Sequence, residues 1–339
     1  MEEREVRDRN EAYQNRRTAH RTRLAGRLLL LGIMLAILII VVMLLVWNRG
    51  RETGFDINEV STEFDTEELD QVFYVPEEDL ATSQAATDVK LNILFLGNDA
   101  LSDGDENARI PDYVASYLKE HSDEEVHVSN AAVAGSRIAA KSAQYDAMYP
   151  YDLVSFFYTA SYIASGDFSF MERYATDTGS ATASSAAQVL KETDFSALDM
   201  IVVMYDATDY LNGTPVFNPG NAYDQITYCG ALKSGIMAIK ERYPHIRFVF
   251  MFPTFCYIED ADGNLGNSDI VDIGNGDLTT YLIKAIDVCQ EEGVSIIDNY
   301  SGTVNEDNAD EYLTDNVHLT DTARKHIAAH LLRVVFPQE

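Results

Sequence analysis

Two residues late in the chain have the types and spacing of a proton-transfer pair. They are Asp315 and His318, in the run Asp315-Asn316-Val317-His318, directly ahead of Leu319-Thr320 and a helical pattern. A carboxylate three residues before an imidazole can bind one ring nitrogen and leave the other facing a cleft, which is how a general base is oriented. The spacing alone is weak evidence, because most such pairs are solvated loop residues. Its meaning depends on what the rest of the chain brings to the imidazole.

Other residues of reactive type have blander readings. His326 and His330 lie four apart on one helical face, but no third metal ligand is near them in sequence, so a partly exposed helix face is expected. Asp260 to Asn264 opens like a calcium loop, yet Leu265 and Val271 stand at its sixth and twelfth positions, so a turn in a surface hairpin is expected. Cys229, Cys256 and Cys289 are odd in number and far apart, which reads as core thiols rather than a disulfide framework. No metal-ligand spacing is present, and no cofactor is expected.

The elements that must position Asp315 and His318 follow from the wider pattern. The chain has 339 residues, 46% of them hydrophobic, ample for a core, and a formal net charge of -30. That charge argues against nucleic acid as a partner, because phosphate repulsion and self-repulsion have the same sign. Leu28 to Trp47 is an uncharged apolar run long enough for one helical crossing of a bilayer. Arg49 and Arg51 follow it where a cleaved signal would have small residues, so an uncleaved anchor is expected. Eight arginines precede the run and two follow it, which places the N-terminus in the cytoplasm and the remainder outside. Residues 52–89 hold many Asp and Glu and no Lys or Arg, as expected of an extended stalk. The expected organisation is a basic cytoplasmic tail over 1–27, a transmembrane helix over 28–47, an acidic extracellular stalk over 48–90 and one domain over 91–339.

From Leu91 onward, short aliphatic runs alternate with helical patterns. Strands are predicted at Leu91 to Leu96, Val126 to Val128, Ile201 to Met204, Ile246 to Phe252 and Val294 to Ile297. Helices are predicted after Ile110-Pro111, around Ser185 to Lys191, over Ala222 to Tyr243, over Asp277 to Glu292 with Gly293 as its stop, and over Thr320 to Val335. Strands apolar on both faces and separated by helices imply a parallel sheet covered on both sides. The aromatic-rich stretch from Tyr145 to Tyr174 is expected to be a packing layer, with a cap over the cleft as the alternative.

In an open parallel sheet, chemistry sits in the loops past the carboxyl ends of the strands. Here those loops begin Gly97-Asn98-Asp99-Ala100-Leu101-Ser102-Asp103-Gly104, Ser129-Asn130 running to Gly135-Ser136, and Tyr205-Asp206-Ala207-Thr208. With the terminal Asp-x-x-His, over residues 91–336, they resemble the SGNH or GDSL hydrolases, serine esterases and acyl hydrolases. The resemblance implies a flavodoxin-like three-layer α/β/α sandwich with a five-stranded parallel sheet. It implies His318 as base, Asp315 as its orienter, and Asn130 through Gly135 as the block whose glycine N–H binds an oxyanion.

The departures from that family pattern matter as much as the matches. The family serine falls on Asp99 or, in the alternative register, on Ala100, and neither is a serine. Thr208 stands where the pattern has its oxyanion-binding asparagine, and Asp206 where it has a glycine. Losing one oxyanion donor removes roughly 3 to 4 kcal/mol of transition-state stabilisation, and losing a triad serine costs on the order of 10⁶ in rate. Ser102 is the best spare hydroxyl, Asp99 the alternative through an activated water. Two readings stay open: an outward-facing esterase or acyltransferase acting on small esters or acylated glycans, and a pseudoenzyme in which the same cleft binds a glycan or a membrane partner without turnover.

Overall fold

A computed structural model of the protein describes residues 69–80, 90–105, 107–122, 124–259 and 262–337. The predicted anchor at Leu28 to Trp47 lies outside the described residues. Among the described residues no helix is long and apolar enough to cross a membrane.

Five strands form one parallel sheet: β1 (Lys90–Gly97), β2 (Glu125–Asn130), β3 (Met200–Met204), β4 (Arg247–Met251) and β7 (Ser295–Ile297), in the order β2-β1-β3-β4-β7. This is the flavodoxin-like order, with its reversal between β1 and β3. Alternate strand residues enter two separate cores. Ile93, Phe95, Val202 and Met251 face one side, where α1 (Ile110–His121) and α7 (Asp321–Val335) pack. Leu94, Leu96, Val203 and Phe250 face the other, covered by α2 (Phe156–Ser165), α3 (Ser169–Thr178), α4 (Ala181–Glu192), α5 (Tyr228–Arg242) and α6 (Leu278–Glu292). The result is the α/β/α sandwich that the pattern of apolar runs predicts.

The predicted helix stops and starts are visible as caps. Thr320 accepts the N–H of Ala323 at the start of α7, Asp277 accepts that of Thr280 at the start of α6, and Gly293 closes α6 at φ 61°. One boundary differs. The helix expected from Ala222 begins at Tyr228, because Asp224 folds back: its carbonyl accepts the Thr227 hydroxyl, and Thr227 caps Gly230. Tyr145 to Tyr174 forms a helical turn at Pro150–Val154, then α2 and most of α3, with Tyr151 against Tyr174 and Tyr162 stacked on Phe170.

β5 (Tyr257–Glu259) and β6 (Leu265–Asn267) pair antiparallel on either side of the calcium-like stretch, whose first residue, Asp260, lies outside the described residues. All three cysteines are buried and free. His330 departs from the exposed face predicted for it: it is buried, with Nε2 2.8 Å from Asp70 Oδ2. Asp70 belongs to the acidic stretch assigned to the stalk, yet residues 69–76 lie along the edge of β7. Gln71 exchanges two backbone hydrogen bonds with Ile296, and Phe73 N–H donates to Ser295 Oγ.

Candidate functional site

The crevice at the strand-order reversal is built by the segments that follow β1 and β3. β1 ends at Gly97, where an added Cβ would stand 1.9 Å from the Met204 carbonyl of β3; only glycine permits that approach. Asn98 comes next and is fully buried. Its Nδ2 donates to Asp206 Oδ1 at 2.7 Å and to the Ser136 carbonyl at 3.1 Å, while its Oδ1 accepts the Asp206 N–H at 3.0 Å. One amide therefore fastens together the loops after β1, β2 and β3.

The chain then makes a single helical turn over Asp99–Ser102. Asp99 stands first in it, half-buried, and its Oδ2 accepts the Gly135 N–H at 2.7 Å. Gly135 is exposed and adopts φ 72°, a left-handed conformation suited to glycine. The turn ends at Asp103, whose carboxylate Oδ2 lies 4.0 Å from His318 Nε2.

His318 is held from behind. Its Nδ1 is 2.7 Å from Asp315 Oδ2, while Asp315 Oδ1 accepts the backbone N–H groups of Val317 and His318, each at 2.8 Å. The loop itself is closed by hydrogen bonds from Thr314 N–H to the His318 carbonyl and from Thr320 N–H to the Tyr312 carbonyl. Asn316 ties it to β5, donating to the Tyr257 carbonyl at 3.1 Å.

Acidic groups dominate the electrostatics, with His318 and Arg324 as the opposing charges at Asp103. Burial pushes the Asp103 carboxyl up, Asp99 adds to this, and His318 opposes it. Burial also raises Asp206, against the hydrogen bonds from Thr208 and Asn98. For His318, burial acts downward, but the bond to Asp315 and the charges of Asp315, Asp103 and Asp99 outweigh it and raise the imidazole. Burial would raise Asp315 too; the two backbone N–H groups and His318 bring it below its ordinary value.

Asp99, Ala100, Asp103, Asp206, Thr254 and His318 line a narrow cleft, with Val317 and Leu319 beside them. The other expected site residues fall elsewhere. Ser102 does not line the cleft; its Oγ is buried and has no hydrogen-bond partner among the described residues. Thr208 N–H donates to Asp206 Oδ1, and Asn130 bridges the Leu101 carbonyl and the Ala132 N–H. Asp99, which the flush register aligns with the family serine, is the residue that meets Gly135. Sequence pattern does not single out Asp103 or Asn98, and it marks Asp206 only as a departure from the family glycine. Asn98 and Asp206 read together are the available signal, since each satisfies the other.

The chain has an SGNH-like hydrolase fold. One solved structure, 19% identical with a TM-score of 0.51, covers 73% of this chain and 96% of its own. A structure described as a possible lipase from Chitinophaga pinensis DSM 2588 is 14% identical with a TM-score of 0.46, covering 73% of this chain and all of its own. The acetyl xylan esterase AlAXEase is also 14% identical, with a TM-score of 0.43 over 73% of this chain and 100% of its own. Identities this low speak to fold and not to activity. No protein-family model and no curated protein matches the chain.

Proposed function

We propose that this protein is a membrane-anchored, outward-facing SGNH-fold module whose cleft binds rather than acylates: a pseudoenzyme toward serine-type ester hydrolysis. The observation that carries the reading is the Asp99 carboxylate on the Gly135 N–H. A tetrahedral intermediate needs that donor for its own developing negative charge, and here a fixed carboxylate occupies it. A second negative charge ~4 Å away would add roughly 4 kcal/mol of repulsion at an effective dielectric of about 20. No hydroxyl among the described residues hydrogen-bonds to the His318 imidazole, so a serine nucleophile lacks its base as well.

A second reading is favoured by one observation, the ordered Asp315–His318 pair. It is hydrolysis of small esters or acyl groups on envelope glycans, with water as nucleophile and His318 as base. The test is to incubate the detergent-solubilised chain with a short-chain aryl ester and a serine-reactive phosphonate. Binding-only function predicts no label and no turnover above that of His318→Ala. Turnover that His318→Ala abolishes would select the second reading.

A further inference from the structure

Asp99, Asp103 and His318 each offer one ligand atom such that the three atoms lie within 4.8 Å of one another. Two come from the turn after β1 and one from the loop ahead of α7, so no local sequence spacing announces the set. Asp315 holds His318 Nδ1, and Nε2 is the atom presented to the cleft. A carboxylate partner selects the Nδ1–H tautomer, in which Nε2 carries a lone pair. When the imidazole is neutral, two carboxylates and that lone pair face one another.

Asp206 supplies an independent observation. It is 9% exposed and lines the same cleft; the Asn98 amide and the Thr208 N–H both bind its Oδ1, the Thr208 side chain adds a hydrogen bond to the carboxylate, and no N–H among the described residues reaches its Oδ2. The space these groups surround measures about 10 Å³. That is room for a single water or ion.

We propose that Asp99, Asp103 and His318 bind one divalent first-row transition-metal ion, with Asp206 as an outer carboxylate. At bond lengths of ~2.1 Å, adjacent ligand atoms lie ~3 Å apart and opposite ones ~4 Å apart, distances that small side-chain rotations give from the present arrangement. The mixed oxygen and imidazole set favours manganese, cobalt, nickel or zinc over calcium and magnesium, which prefer oxygen alone. Asp315 becomes the outer partner that fixes ring orientation and raises ligand basicity. The inference rests on the binding reading above, because an imidazole bound through Nε2 is not free to act as a base.

The experiment is calorimetric titration of the full chain, in detergent and stripped of metal by chelator and dialysis, with manganese, zinc and calcium chlorides. Electron paramagnetic resonance of added manganese is read in parallel. The expected result is one tight site per chain, with calcium at least ~10-fold weaker. Asp103→Asn and His318→Ala should each weaken it by more than ~10-fold, and Asp315→Asn by ~10- to 100-fold. A chain of charge -30 also collects ions loosely, so the variants decide the matter. No saturable site at about millimolar metal, or a site unchanged in both Asp103→Asn and His318→Ala, overturns the proposal. Ester turnover is measured separately: its appearance sinks the binding reading, whereas absent metal binding without turnover sinks the metal site alone.

Discussion

Asp99 accepts the Gly135 N–H at 2.7 Å, so on the reading proposed above the side chain aligned with the family serine also fills the site of the oxyanion. Both consequences come from one residue. The acidic side chain removes the nucleophile and at the same time occupies the donor that a nucleophile's product would need.

Asp99→Ser is therefore expected to reverse both. It frees the Gly135 N–H and places a hydroxyl at the mouth of the turn, on the His318 side of the cleft. Since a triad serine is worth on the order of 10⁶ in rate, recovery of even a fraction should raise aryl-ester turnover by at least ~10²-fold over the parent. The same variant should take up a phosphonate label at residue 99. A folded Asp99→Ser with neither turnover nor label counts against His318 as a competent base.

The sheet is legible in the sequence because its strands are short, mostly apolar runs separated by helices whose ends carry caps such as Thr320, Asp277 and Gly293. The Asp315–His318 pair is legible because its geometry is local: three residues of loop determine it. Asp103 is not, because its approach to His318 depends on one helical turn swinging it past Ser102, whose own hydroxyl turns into the interior. The Asn98–Asp206 contact spans 108 residues and exists only once β3 lies beside β1. The docking of residues 69–76 is equally invisible: acidic composition suggests a solvated stalk, and only tertiary contact shows Asp70 meeting a buried histidine.

His318 carries a pH prediction. Its folded pKa is raised, so the stabilisation that its charged form draws from Asp315, Asp103 and Asp99 is fully present below about 6.5 and is lost as pH rises through the folded value. In metal-free protein the imidazole NMR titration should have its midpoint above ~6.5, and Asp103→Asn should move it down. The melting-temperature advantage of wild type over Asp103→Asn should shrink between acidic and mildly alkaline pH. A wild-type midpoint at or below the ordinary histidine value would contradict the arrangement of charges.

Asp70 is expected to hold the strap of residues 69–76 against the domain. Its Oδ2 lies 2.8 Å from His330 Nε2, with 10% and 3% side-chain exposure, and its Oδ1 accepts the Asp298 N–H at 2.8 Å. Removing one partner of a buried pair costs ~3 to 5 kcal/mol, less where the strap can lift and let water in. A loss of about 2 kcal/mol corresponds to ~4 to 8 °C for a domain of this size. Asp70→Ala should show that drop by calorimetry, along with faster proteolysis within 69–80. Unchanged melting and unchanged cleavage would mean that the strap is held by its other contacts, those of Gln71, Phe73 and Tyr74.

Asp209 governs the loop that presents Gly135. Its buried carboxylate accepts the N–H groups of Ile138 at 2.8 Å and Ala139 at 3.2 Å, and burial pushes its pKa up to about 6. An acid with a folded pKa above its unfolded value near 3.9 binds its proton more readily in the fold, so its contribution to stability grows as pH falls from about 6 to about 4. That difference between folded and unfolded chain is worth roughly 3 kcal/mol across the window. Asp209→Ala strips both N–H groups of their acceptor, at ~1 to 3 kcal/mol each, but also removes a buried charge that is costly near neutrality. The variant's deficit relative to wild type should therefore be smaller at pH 7 than at pH 5, by denaturant titration at each pH. An equal deficit at both would show that Asp209 does not change its protonation state between the folded and unfolded chain.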